Sequence, residues 1–213
     1  MTSTTARTTD PSDTVARRAR PAMIGATLWT LSAGVWAVSD LEYQEPGSLS
    51  FVAVAVAWWI CMVLAPVLMV VGHAALRMAL GPEVGKVGAI GVVLSAIGIG
   101  SMGLGIGIEV ASMTVSGGEV PLGHAILLVG FLVAVVGALL TGITVLRRRR
   151  DGLSRGAGWL LVLALPLGIG IMFLGNAVAP EADAFFWAGL TVPIGIAWVL
   201  LGRSLAAEFS TTP

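Results

Sequence analysis

The chain has 213 residues, 56% of them hydrophobic and 11% charged, with a formal net charge of zero and a mean hydropathy of +0.93. An ordinary soluble domain carries about 25% charged residues, so this chain lacks the polar side chains that would cover a water-facing surface. A soluble globule is thereby excluded, and the single cysteine, Cys61, excludes an intrachain disulfide and a thiolate zinc site.

Residues 1–21 are rich in Thr, Ser and Arg, and are expected to form a disordered cytoplasmic tail whose arginines meet lipid headgroups. Beyond them, a bilayer core about 30 Å thick takes about 20 apolar residues of helix. Six stretches meet or approach that length: 22–39, 51–76, 87–108, 122–146, 158–179 and 185–201. The first also resembles a cleaved signal peptide, with a basic start and the small residues Ala37 and Ser39 near a cleavage spacing. Trp29 and Trp36 inside the run favour an uncleaved anchor.

The second stretch holds Cys61, read as a small buried hydrophobe. It also holds His73, read as a neutral histidine at the inner interface, one turn before Arg77. Pro66 here, and Pro166 and Pro193 further on, each remove a backbone bond and are expected to kink their helices.

The third stretch contains GIGSMG at 98–103, which fits the spacing of a dinucleotide loop. That motif needs a strand before it and a free helix N-terminus after it. Here apolar residues flank it on both sides, where every backbone N–H must bond within the helix. The glycines are therefore read as packing residues. Ala96, Gly100, Gly103 and Gly107 share one face, and Gly130, Ala134, Gly137 and Thr141 repeat the same spacing on the fourth stretch.

Between the spans the basic residues fall on one side only. Arg77 and Lys86, then Arg147, Arg148, Arg149, Arg150 and Arg155, then Arg203 fall on the same side as Arg7, Arg17, Arg18 and Arg20, which accounts for all twelve basic residues. The opposite loops carry Asp40, Glu42, Glu45, Glu109, Glu119, Glu181 and Asp183. Basic residues stay cytoplasmic, so both termini are expected inside, in a cell membrane of bacterial inner-membrane type. The four-arginine run is a candidate contact for anionic lipid; its loop is too short for a nucleic-acid role. Trp36, Tyr43, Phe51, Phe185, Phe186 and Trp187 at the outer ends, with Trp159 and Trp198 inside, read as an interfacial belt.

The fold class expected is thus an all-α integral membrane protein, a six-transmembrane-helix bundle over 22–206 with a short tail at 207–213. Three two-helix hairpin repeats are a further expectation. An offset of about 70 residues lays Gly72, Leu76 and Arg77 on Gly142, Leu146 and Arg147, and 97–105 on 167–175.

No ionisable side chain lies at mid-depth, where such residues mark function. What remains is a candidate outer polar cluster of Glu109, His124, Asn176, Glu181 and Asp183. A carboxylate beside an imidazole suits cation binding or acid–base work. No cofactor or metal is expected, and the balance is against an enzyme. The leading expectation is a non-catalytic protein acting through helix packing with itself or a membrane partner. The alternatives are a permease lined by Thr27, Thr30, Ser95 and Ser101, and an enzyme built on the outer cluster.

Overall fold

The computed structural model describes residues 11–38, 45, 47–81, 84–116, 118, 120–179 and 184–210. Among them there are helices, turns and no strands. The helices are α1 (Pro11–Val38), α2 (Leu49–Trp58), a π-helical segment (Trp59–Leu64), α3 (Ala65–Leu80), α4 (Gly85–Ser116), α5 (Pro121–Arg148), α6 (Gly152–Val162), α7 (Ala164–Val178) and α8 (Ala184–Ser210). They follow one another around a closed ring. α1 packs on α3, α3 on α4, α4 on α5 and α5 on α6, while α8 sits against α6 and α7 and returns to α1.

Among the described residues, four continuous stretches are long and apolar enough to cross a bilayer: Leu49–Leu80, Gly85–Val115, Pro121–Arg148 and Ala184–Glu208. α6 and α7, bent by 66° at their junction, make a fifth if they form one span. Six were expected, and α1 is the one outside this set. Its Ala22, Ala26, Trp29 and Ser32 are buried among the other helices, while Ile24 and Leu31 are exposed on the other side. The expected tail ends early, since α1 begins at Pro11 and buries Val15 and Ala19 one turn apart. Large apolar residues such as Leu104, Val129, Leu132, Phe173 and Leu174 are exposed around the outside. A water-soluble monomer does not expose an apolar belt of that extent; a multi-pass membrane protein does.

The prolines act differently from one another. Pro66 has no N–H for the carbonyl of Met62, and the chain widens just before it, where the Ala65 N–H reaches Ile60 in a π turn. Pro166 lies four residues after Val162, where α6 stops, so its ring meets the 66° bend. Pro193 is accommodated within an unbroken α8.

Small residues set the α4–α5 seam, on a different α4 face from the one expected. On α5, Gly130 and Gly137 face α4, and so does Gly123, which lies outside the expected row. On α4 the facing residues are Gly91, Gly98 and Gly105. A methyl on Gly105 would stand 2.6 Å from the Gly123 carbonyl oxygen, and one on Gly98 would stand 2.7 Å from that of Gly130. Rows of seven keep meeting on a left-handed crossing. Gly103 and Gly107 turn instead toward Pro66 and Val63, and Gly100 toward Val70, while Ala96 is half-buried. The 70-residue correspondence is not matched in surroundings: Gly88 meets Thr144, whereas Gly158 meets Leu146 and Gly142.

Candidate functional site

Short connections bring the ends of α4 and α5 together. α4 runs past its expected end at residue 108, so Glu109 lies two turns inside it, and His124 lies in the first turn of α5. The Glu109 Oε1 is 3.3 Å from the His124 Nδ1, with the carboxylate side chain 14% exposed and the imidazole 58%. Gly123 makes the arrangement fit, because a methyl there would stand 2.8 Å from the Glu109 Cγ.

The pair borders a cavity of about 270 Å³ whose other walls include Trp36, Trp58, Phe186, Trp187 and Leu127. Trp36 stacks on Trp58 at 4.8 Å and on Trp187 at 5.5 Å, and Trp29 meets Trp187 edge-on at 5.7 Å. The Trp187 indole N–H donates to the Ser32 hydroxyl at 2.8 Å, which ties α8 to α1 and holds the ring in place. Trp187 and Trp198 are thus buried side chains rather than members of an interfacial belt, while Trp159 and Phe186 are exposed as a belt requires. Of the expected polar cluster, Glu109 and His124 are brought together. Asn176 is exposed near the end of α7 and does not border the cavity. Glu181 and Asp183 lie outside the described residues, as does Tyr43.

At the opposite end of the ring the arginine run folds inward at one position. The Arg149 side chain is 11% exposed and donates to the Glu208 carboxylate, to Ser204 Oγ at 3.2 Å and to Ser154 Oγ at 3.3 Å. Asp151 caps α6 by accepting from the Ser154 N–H at 2.8 Å and accepts from the Ser204 hydroxyl at 2.8 Å. Burial pushes the Asp151 carboxyl up, but the hydrogen bonds from Ser154 and Ser204 and the Arg149 charge outweigh it and hold it below its ordinary value. Beside this knot a cavity of about 770 Å³ is bordered by Arg148, Arg150, Leu153, Ala79 and Leu80. Arg147, Arg148 and Arg150 are exposed, so the run splits into one inward and three outward side chains.

Between the two ends lies a buried polar link that the sequence reading placed at an interface. His73 is 2% exposed. Its Nδ1 is 2.9 Å from the Met69 carbonyl, which can only accept, so Nδ1 carries the proton and Nε2 accepts from Ser95 at 2.8 Å. The ring lies 4.0 Å from Trp198 of α8. A serine donating to an imidazole has the form of a nucleophile and its base, but Ser95 is 1% exposed and no substrate reaches it in this conformation. The link joins α3, α4 and α8. Two of the other hydroxyls on that path turn back on their own helix, Thr27 to Met23 and Thr30 to Ala26.

Trp58 was not singled out from sequence, and Trp36 and Trp187 were read as anchors. The signal for an inward role was the seven-residue interval between Trp29 and Trp36, which puts both on one face of α1. Compared with known proteins, the chain matches no family model, and no similar chain was found among curated sequences or solved structures.

Proposed function

We propose that the chain is a six-span protein of the cell membrane with both termini cytoplasmic, and that it works without catalysis by receiving a small ligand in the cavity at its acidic end. The observation that carries this reading is the Glu109–His124 pair set in the wall of an aromatic cavity. Pockets that bind small molecules are largely apolar with a few convergent polar groups, and this one has that composition. The small-residue faces, first read as surfaces for a second copy or a partner, are engaged within the chain at the α4–α5 and α3–α4 contacts. That favours a ligand over self-association as the source of function. Six crossings, with α1 as the first, agree with the segregation of basic residues to one end.

Accessibility labelling tests this. In a Cys61→Ala background, a cysteine at position 109 is expected to react with an impermeant maleimide added to intact cells. One at position 148 is expected to react only after permeabilisation. The reverse pattern, or a residue 109 that reacts from neither side, overturns the reading.

A second role at the basic end is supported by the cavity beside Arg148 and Arg150, whose Leu153, Ala79 and Leu80 walls suit an acyl chain next to an anionic headgroup. Removing both guanidinium groups is expected to abolish enrichment of anionic lipid in co-purified material.

A further inference from the structure

We infer that the cavity at the acidic end takes a small organic ammonium ion, with Glu109 as its counter-ion. This rests on the reading of that cavity as the ligand pocket and adds the class of ligand.

Three observations converge on it. Glu109 sets its carboxylate against indole and aliphatic walls and is 14% exposed. A carboxylate in such surroundings is strengthened by a cation and weakened by a neutral guest that strips its water and returns nothing. The nearby titratable partner, His124, is on the solvent side with 58% of its side chain exposed, so it flanks the cavity without filling it. Trp36, Trp58 and Trp187 add stacked indole surface to these walls, and such apolar surface matches alkyl groups on nitrogen.

Size and charge exclude the competitors. A space of about 270 Å³ compares with about 30 Å³ for one liquid water, leaving room for roughly seven to ten heavy atoms. Bare metal ions need several ligating side chains, and among the described residues no three come together. Anions meet the Glu109 carboxylate, and among the described residues no lysine or arginine borders the cavity.

The test uses three probes of one shape: choline, its neutral analogue 3,3-dimethylbutan-1-ol, and the anion 3,3-dimethylbutanoate. The full chain is placed in phosphatidylglycerol nanodiscs and tryptophan emission is followed. Choline is expected to give a saturable change, with a Kd lower than that of the alcohol by about tenfold or more, the worth of one charge-assisted contact, and the anion to give none. Glu109→Gln is expected to erase the difference between choline and the alcohol while the alcohol still binds. Asn176→Ala, on an exposed residue away from the cavity, is expected to leave choline binding within about threefold, a change under 1 kcal/mol.

Equal affinity for choline and the alcohol, unchanged in Glu109→Gln, overturns the ammonium assignment and leaves the pocket reading standing. Silence from all three probes overturns both. A free solute and a lipid headgroup share this chemistry. Discs containing phosphatidylcholine separate them, because a bound headgroup raises the apparent Kd of choline and a site for free solute leaves it unchanged; the ammonium assignment holds in either case.

Discussion

Glycine 123 and histidine 73 show how single positions carry this molecule. Because a methyl at position 123 would stand 2.8 Å from the Glu109 Cγ and 2.9 Å from the Gly105 carbonyl oxygen, Gly123→Ala is expected to push the carboxylate off its seat. The result should be ligand binding reduced at least as far as in Glu109→Gln, with a melting temperature lowered as well. At His73, Ser95→Ala leaves Nε2 buried without its donor. That is expected to cost about 1 kcal/mol, at the low end for an unmet buried acceptor, and is checked by thermal unfolding in detergent. Legibility at this scale was uneven. Glu109 and His124 could be paired from sequence because a short connection brings the ends of two antiparallel helices together. His73 could not be placed, because a histidine near Arg77 satisfies an interfacial position as well as a central one. Its partner, Ser95, is 22 residues away on another helix.

Helices meet here through backbone contact, and that gives the next scale its predictions. Gly98 lies with no side chain against the backbone of Ala134, whereas Gly170 on α7 has open space around it. Gly98→Ala is therefore expected to destabilise the α4–α5 pair by about 1–3 kcal/mol, the range for overpacking. Gly170→Ala should stabilise α7 by about 0.5–1 kcal/mol through helix propensity. Thermal unfolding of the two variants reads the opposite signs.

The Asp151 cap makes a pH prediction for the junction of α5, α6 and α8. Its folded value lies below the ordinary 3.8. Its stabilisation is thus complete above that pH and is lost as pH falls through the lower folded value. Asp151→Ala should remove about 1 kcal/mol of capping at neutral pH and flatten the acid limb of the stability curve. The α5 seam was readable in part, because Gly130, Ala134 and Gly137 share one face at helical spacing, though Gly123 was not included. The α4 face was not, since two glycine rows run along that helix at helical spacing and only the neighbours decide which meets α5. Three prolines looked alike in sequence, yet one sits beside a π turn, one at a bend and one in an unbroken helix.

Across the whole molecule, carboxylates occur at both ends, Glu109 at one and Asp151 and Glu208 at the other, where Arg149 meets them. The cavity near Glu109 and the one near Arg148 lie at opposite ends of the ring of helices. Reporter fusions are expected to place position 45 outside and position 150 inside. The opposite result would invert the proposed orientation. The membrane class was legible from composition alone, since nothing else accommodates so few charged residues in a chain of this length. The count of spans was less so: α1 buries one side among its neighbours and exposes only a narrow apolar face with Ile24 and Leu31.

The π turn at Trp59–Leu64 has a further consequence, because it puts the two halves of one rod out of angular phase. The same residues wound as an ordinary helix would turn α2 by about 100°, taking Trp58 from beside Trp36 while His73, on the far side of the turn, keeps its partner. Deleting Ile60, which points outward, is expected instead to close the π turn with both rings left in place. One residue thus works as a rotary adjustment between the aromatic chamber and the interior of the protein.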